Sequence, residues 1–367
     1  MRLTVQRQDL AAVYALGVLA AFLQVAGGFW DIASHIVRTP ETFFTPQHDV
    51  LYTGIAMGLA ASGAGLMLRR RIPANSPERA LLRGLGIAWI GGGVQIVAGP
   101  FDFWWHSAYG FDPHLLTPAH TLLISGIFTV VFGMTLGAVR LLEAHRQGLV
   151  PSGWFSSTKW ITAMVIVALA TFWMAMDGLL YLVFDAEGYA YTFHLGSGFT
   201  AAAQGPMFLV ATSLLAAPGT FVLFTAKRAI PDRAVVAFIP LLVVLVGAFA
   251  NVGFRASVLM ARGAPYGLAL ANFVPLYVAF VVPVLLFVFL ARDGALSVTI
   301  AGAALVGPFV SYVDGFYSSV LWTDLVRDVP LVLVPMMLVG AAAALGRRRF
   351  ASLLSLPSPP VGTAAPS

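Results

Sequence analysis

The sequence predicts an all-α integral membrane protein of about ten transmembrane helices, arranged as repeated helical hairpins with both termini in the cytoplasm. Three observations predict this fold class: an apolar composition, a series of apolar blocks of helical length, and loops whose charge alternates along the chain. Hydrophobic residues make up 59% of the 367 positions and charged residues only 10%, whereas a soluble domain has about 25% charged residues. The expected surroundings are therefore a lipid bilayer.

The apolar blocks are each long enough to cross the hydrocarbon core as an α-helix, which takes about 20 residues. The first block ends at Asp31 and is too long for a signal peptide, so no cleaved leader is expected. The ten predicted spans are residues 10–34, 47–68, 81–105, 118–140, 160–184, 199–225, 234–254, 266–291, 297–313 and 329–346.

With these spans, 17 of the 21 Lys and Arg residues fall on one side of the membrane. The positive-inside rule places that side and both termini in the cytoplasm, most simply at a bacterial inner (plasma) membrane. The basic residues are scattered over separate helix ends, which argues against a nucleic-acid partner. The opposite, periplasmic side carries eleven of the 16 acidic residues and six of the seven histidines, which are His35, His48, His106, His114, His120 and His194.

The first two hairpins align residue by residue, which indicates an internal repeat. One helix ends with Gln24, Asp31 and His35, and its copy ends with Gln95, Asp102 and His106 at the same spacing. Both returning helices open with Thr-Pro-x-His. We therefore divide the chain into two duplicated hairpins (1–146), three diverged hairpins (147–350) and a disordered tail (351–367).

The repeated residues are of types that bind metal ions. An Asp and a His four residues apart share one face of a helix. The Thr-Pro start predicts an N-cap and a first helical turn that holds the next His. Each hairpin is thus predicted to bind one ion in a site at its periplasmic end. The predicted ligands are Asp31, His35 and His48 in the first site and Asp102, His106 and His120 in the second.

The chain has no cysteine, so thiolate ligands are excluded. Imidazole and carboxylate ligands suit copper, zinc or iron, and divalent affinity generally peaks at copper.

Other polar and aromatic residues near the helix ends are weaker candidates. Asp177, Tyr181 and His194 keep the spacing of the first hairpin with one His replaced by Tyr, and would form a third site. Gln24 and Gln95 lie two turns inward of each Asp and are predicted to support the sites through hydrogen bonds. Trp30 and Trp105 are expected in the aromatic belt of the membrane interface, where they would also surround the sites.

The spacing Asp31-x3-His35-x12-His48, followed by Asp102-x3-His106-x13-His120, resembles the C subunit of the particulate methane and ammonia monooxygenases. The resemblance covers residues 20–130. It implies copper at both sites, oxygen-dependent oxidation of a small substrate, and partner membrane subunits. Asp102 departs from the family pattern, which has Asn at that position.

Two other classes of function remain open at the level of sequence. A metal-ion transporter would fit the repeated spans, although such proteins usually carry ionisable residues near the middle of the membrane. A non-catalytic protein that binds copper, or hands it to a partner during assembly, would use the same ligands. Besides the lipid bilayer, the expected partners are other membrane subunits or further copies of the chain in a homo-oligomer. Fold-level analogy does not separate these classes.

Overall fold

The structure of the protein is a computed structural model, and all regular structure in its described residues is helical. The described residues are 2–37, 39–40, 42–70, 72–73, 77–110, 115–150, 153, 156–195, 216–263, 288, 338, 342–343 and 345–355.

Four long helices form the first part of the chain. They are α1 (Arg2–Ile36), α2 (Pro46–Arg69), α3 (Arg83–Tyr109) and α4 (Pro118–Arg146). A short 3-10 helix, Pro77–Ala80, precedes α3. α1, α2 and α4 cover their predicted spans and extend beyond them, whereas α3 begins two residues after the start of its predicted span (81–105) and ends four residues beyond it.

The two returning helices start where the sequence predicts. Thr45 and Thr117 are the N-cap residues of α2 and α4, each followed by proline in the first turn. The Thr117 hydroxyl accepts a hydrogen bond from the backbone N–H of His120 at 3.3 Å. The Thr45 hydroxyl instead donates to the carbonyl oxygen of Thr42 at 3.2 Å. Thr45 therefore caps α2 by position only, because its side chain is turned into the preceding loop.

Helices α1 to α4 form an antiparallel four-helix bundle. α1 packs along α2 and α4, and α3 packs along the same two helices, so α1 and α3 face each other across the centre. α1 and α3 run in one direction and α2 and α4 in the other. The last turns of α1 and α3 and the first turns of α2 and α4 thus lie together, and we call this the ligand end of the bundle.

Small residues bring the paired helices close together. A Cβ atom built on Gly91 of α3 would lie 2.7 Å from the backbone nitrogen of Val130 in α4 and 2.8 Å from the carbonyl oxygen of Gly126. In the first hairpin, a Cβ atom on Gly54 would lie 2.8 Å from the backbone nitrogen of Gln24. Only glycine permits such contacts between helix backbones, which is a common way to pack helices in membranes.

The rest of the described chain packs around this bundle. Helix α5 (Thr158–Leu195) contacts α1 and α4. The later helices are α6 (Ala216–Ala229), α7 (Arg233–Val236), α8 (Phe238–Ala248), a π-helical segment (Phe249–Ala256) and α9 (Ser257–Ala261). The π-helical segment packs against α1.

Among the described residues, six helical segments are long and apolar enough to cross a membrane, which makes the chain a multi-pass membrane protein. They are Leu10–His35, Pro46–Arg69, Arg83–Tyr109, Pro118–Arg146, Thr158–Leu180 and Arg233–Ala261. Exposed apolar side chains such as Trp89, Ile90 and Ile96 of α3 suit contact with lipid. The other predicted spans, 199–225, 266–291, 297–313 and 329–346, lie wholly or partly outside the described residues. The number of ten spans and the orientation of the termini stay predictions.

The end of the chain differs from the predicted disordered tail. Residues 345–354 are helical, so the first residues of the predicted tail belong to a helix. Ala351 and Leu354 are buried. The guanidinium of Arg140 in α4 donates to the carbonyl oxygens of Leu353 at 3.1 Å and Ala80 at 3.0 Å. This docking depends on α4, which the local composition of the tail does not reveal.

Candidate metal centre

The ligand end of the bundle carries all six predicted ligands of the first two hairpins. α1 ends with Asp31 and His35, and α3 ends with the equivalent pair Asp102 and His106. The first turns of α2 and α4 each add one His. We call the six side chains the ligand cluster: Asp31, His35, His48, Asp102, His106 and His120.

The three side chains of the second hairpin converge. Asp102 Oδ1 lies 3.8 Å from His106 Nε2 and 3.5 Å from His120 Nε2, and the two nitrogens are 3.3 Å apart. A point equidistant from the corners of that triangle is about 2.05 Å from each atom, which matches metal–nitrogen and metal–oxygen bonds of about 2.0–2.2 Å. The three atoms thus have the spacing that a single ion requires.

The first hairpin also brings its three groups together. Asp31 Oδ1 lies 3.0 Å from His48 Nε2, and Asp31 Oδ2 lies 3.6 Å from His35 Nε2. The carboxylate therefore faces one imidazole with each of its oxygens. The Asp31 carboxylate thus lies between the two imidazole rings of the first hairpin.

Hydrogen bonds to the backbone fix the orientation of two of the rings. Nδ1 of His48 lies 2.9 Å from the carbonyl oxygen of Thr42, and Nδ1 of His106 lies 3.1 Å from that of Gly110. A carbonyl only accepts, so Nδ1 carries the hydrogen in each ring. In the neutral ring Nε2 then has a lone pair, and in both residues Nε2 faces an Asp oxygen. This is the usual arrangement of a metal-ligating histidine.

The same contacts have a second explanation. A protonated imidazolium would form an ion pair with the facing carboxylate without any metal ion. Metal analysis separates the two cases.

The two predicted sites are neighbours in the structure, which the sequence does not predict. The ring of His35 lies 5.8 Å from that of His106 and 5.6 Å from that of His120, measured between centroids. The ligand atoms of these three histidines are all within 4.8 Å of one another. Asp102 is also within electrostatic range of Asp31 and His35. The two hairpins therefore build one continuous cluster.

The residues predicted to support the sites have defined contacts. Gln95 donates from Nε2 to Oε1 of Gln24 at 2.7 Å, and Gln24 donates from Nε2 to the carbonyl oxygen of Gly54 at 2.9 Å. Both glutamines are buried. Their hydrogen bonds join the two hairpins inside the bundle. They therefore bear on the ligand cluster by fixing the positions of the helices that carry it.

The two tryptophans pack against other aromatic rings. Trp30 meets Phe249 and Phe254 of the π-helical segment edge-on, with centroid distances of 5.3 and 5.9 Å. Trp105 packs on Tyr109 at 4.6 Å. Trp30 therefore anchors the end of α1 to the π-helical segment.

A group of aromatic residues beside the ligand cluster was not predicted. The ring of Tyr52 lies 5.9 Å from that of His48, and Phe43 packs on Tyr52 at 4.9 Å and on Phe103 at 5.4 Å. Tyr52 follows His48 by four residues, so the helical spacing could have identified it. Phe43 lies in a loop, where spacing gives no such signal.

The predicted third site lies only partly among the side chains that the structure describes. Asp177 is buried in α5, but the side chains of Tyr181 and His194 lie outside the described residues. α5 continues to Leu195 without the turn predicted after residue 184. Along one helix, Asp177 and His194 are about 25 Å apart, because the rise is about 1.5 Å per residue. The turn predicted between Asp177 and His194 is therefore not seen in α5, and the third site stays a prediction.

Comparison with known proteins gives no relative. No protein-family model, curated protein or solved structure matches the chain. The function has to be argued from the ligand cluster itself.

Proposed function

We propose that the chain is a copper-binding membrane protein whose ligand cluster supports oxygen-dependent oxidation of a small substrate, as the metal-bearing subunit of a complex like the copper membrane monooxygenases. The observation that carries the proposal is the triangle formed by Asp102, His106 and His120, which has the dimensions of a metal site. The backbone hydrogen bond to His106 Nδ1 adds to it, because it leaves Nε2 as a donor atom.

The choice of copper follows from the donor set. The cluster offers imidazole and carboxylate groups and no thiolate, since the chain has no cysteine. Zinc and iron accept such donors as well, but divalent affinity generally peaks at copper. Copper supplies the one-electron chemistry that oxygen activation needs.

The surroundings of the cluster suit an apolar or ammonia-like substrate. His35 and His120 are buried, and the other four ligands are partly exposed, so small molecules can approach from one side. Phe43, Tyr52 and Phe103 form an aromatic wall beside His48. Such a wall limits water at the cluster, and a position at the membrane edge gives access to substrates dissolved in lipid.

The charge distribution supports a periplasmic location for the ligand end. The opposite end of the bundle carries the basic residues, including the pair Arg69 and Arg70 at the end of α2 and Arg146 at the end of α4. By the positive-inside rule this basic end faces the cytoplasm of a bacterial inner membrane.

The proposal is tested by metal analysis of the protein purified in detergent and supplied with copper. We expect the protein to bind copper, and its electron paramagnetic resonance spectrum to show coupling to nitrogen ligands. The double variant His106→Ala/His120→Ala should lose this copper. His145→Ala is the matched control, because His145 lies near the basic end and bonds to Val150 and Thr158. It should keep its copper.

Activity is measured separately as oxygen consumption with small apolar substrates and ammonia. Copper content that is unchanged in the double variant would contradict the ligand assignment. Copper transport into proteoliposomes without oxygen consumption would instead favour a transporter.

A further inference from the structure

We infer that the ligand cluster holds one shared ion, bound by His35 of the first hairpin together with Asp102, His106 and His120 of the second. Asp31 and His48 then form a supporting pair and not a second site. This inference rests on the proposed function, since it specifies how the proposed centre binds its metal.

The geometry of the histidines is the first argument. His106 and His120 belong both to the triangle with Asp102 and to the group of three histidines whose ligand atoms lie within 4.8 Å of one another. Ligand atoms on opposite sides of one ion are about 4 Å apart, given bonds of about 2.0–2.1 Å. An inward movement of about 1–3 Å by the His35 ring therefore brings it within bonding distance of an ion held by the second hairpin.

The symmetry of the bundle is the second argument. Gln24 and Gln95 occupy equivalent positions of the repeat and bond to each other. His35 and His106 are also equivalent, and their rings are neighbours. Contacts between equivalent residues occur only near a twofold axis. The approximate axis of the bundle thus passes between α1 and α3, and an ion near it is within reach of both hairpins, as in other bundles with central metal sites.

The charge of the cluster is the third argument. Two carboxylates and four neutral imidazoles carry a net charge of −2, which one divalent ion balances. Two divalent ions would leave a net charge of +2 at a partly buried site within a membrane protein, which is costly.

Asp31 has a different role in this arrangement. Its two oxygens face His48 at 3.0 Å and His35 at 3.6 Å. A carboxylate beside the ring nitrogen that does not bind the metal orients a ligating imidazole, so in the shared site His35 binds the ion through Nδ1. His48 in turn is tied to the backbone at Thr42, so the pair connects His35 to the start of α2.

The experiment compares two variants of the first hairpin, His35→Ala and His48→Ala, in the full chain purified in detergent. Copper is added in excess, unbound copper is removed, and copper per chain is measured by mass spectrometry. We expect one copper per chain in the wild-type protein, less than about half of that in His35→Ala, because only the triangle of Asp102, His106 and His120 remains to hold the ion, and nearly the full amount in His48→Ala.

Two independent sites give a different result. The wild-type protein would then bind two copper ions, and each variant would lose one of them. That result, or equal retention of copper in both variants, would overturn the shared ion while leaving the proposed copper protein intact. A wild-type protein that binds no copper would contradict the proposed function itself.

If the His35→Ala variant does not fold, a spectroscopic measurement still tests the shared ion. The wild-type copper signal should show hyperfine coupling to three imidazole nitrogens, and His35→Asn should reduce this number to two. Coupling to only two imidazole nitrogens in the wild-type protein would refute the participation of His35.

Discussion

At the residue scale, Asp102 determines the charge of the second hairpin's site. It lies 3.5 and 3.8 Å from the two histidine nitrogens. We expect Asp102→Asn to weaken copper affinity by at least about tenfold, because the amide keeps the shape but loses the charge. Affinity is measured by competition with a copper chelator.

A matched carboxylate serves as the control for this change. Asp49 is exposed in the first turn of α2, so Asp49→Asn should leave the affinity unchanged. Equal affinities for Asp102→Asn and the wild-type protein would show that Asp102 does not bind the ion.

The grouping of each Asp with its two histidines could be predicted because their spacing is local. The four-residue spacing within α1 and α3 and the Thr-Pro start of α2 and α4 are enough to bring each Asp near its two histidines. The proximity of His35 to His106 and His120 could not be predicted in this way. It depends on which helices of the bundle face each other, and that depends on contacts between hairpins.

At the scale of the helices, the close contact of α3 with α4 depends on glycine. We expect Gly91→Ala to destabilise the protein by about 1–3 kcal/mol, because the new Cβ would lie 2.7 Å from the backbone nitrogen of Val130 and the helices would have to separate. The midpoint of thermal unfolding in detergent measures the effect.

Gly93 provides the comparison, since a Cβ atom there meets nothing within 4 Å. Gly93→Ala should leave the midpoint unchanged or raise it slightly, because alanine favours helix. If both variants unfolded at the same temperature, the packing argument for Gly91 would be wrong.

The starts of helices were easier to predict than their ends. Thr45 and Thr117 mark the starts of α2 and α4 through proline and N-cap chemistry. The extension of α5 to Leu195 and the helix at residues 345–354 have no comparable local signal. The π-helical segment was not predicted either, because no local signal in its sequence distinguishes it from an α-helix.

At the scale of the whole molecule, the predicted orientation can be tested with introduced cysteines, because the chain has none of its own. Ala108 lies at the ligand end and Lys159 at the start of α5, and both are exposed. A membrane-impermeant maleimide should label Ala108→Cys in intact spheroplasts and Lys159→Cys only after lysis. Labelling of Lys159→Cys in intact spheroplasts, with Ala108→Cys labelled only after lysis, would mean that the chain has the opposite orientation in the membrane.

Composition and block length were sufficient to predict a helical multi-pass membrane protein. The shape of the bundle was not predictable, since apolar spans of similar length pack in many orders. The placement of α1 opposite α3 depends on particular contacts, such as that of Gln24 with Gln95, that become visible only in three dimensions.

The contact between Gln24 and Gln95 also bears on how the protein originated. Residues that are copies of each other touch at the centre of the bundle, so one ancestral hairpin paired with an identical chain would have made the same contact. Such a homodimer would already have placed histidines from both chains around a common point. Within one chain the two halves need not stay identical, and their capping residues differ: Thr117 accepts from the backbone N–H of His120, whereas Thr45 donates to the carbonyl oxygen of Thr42.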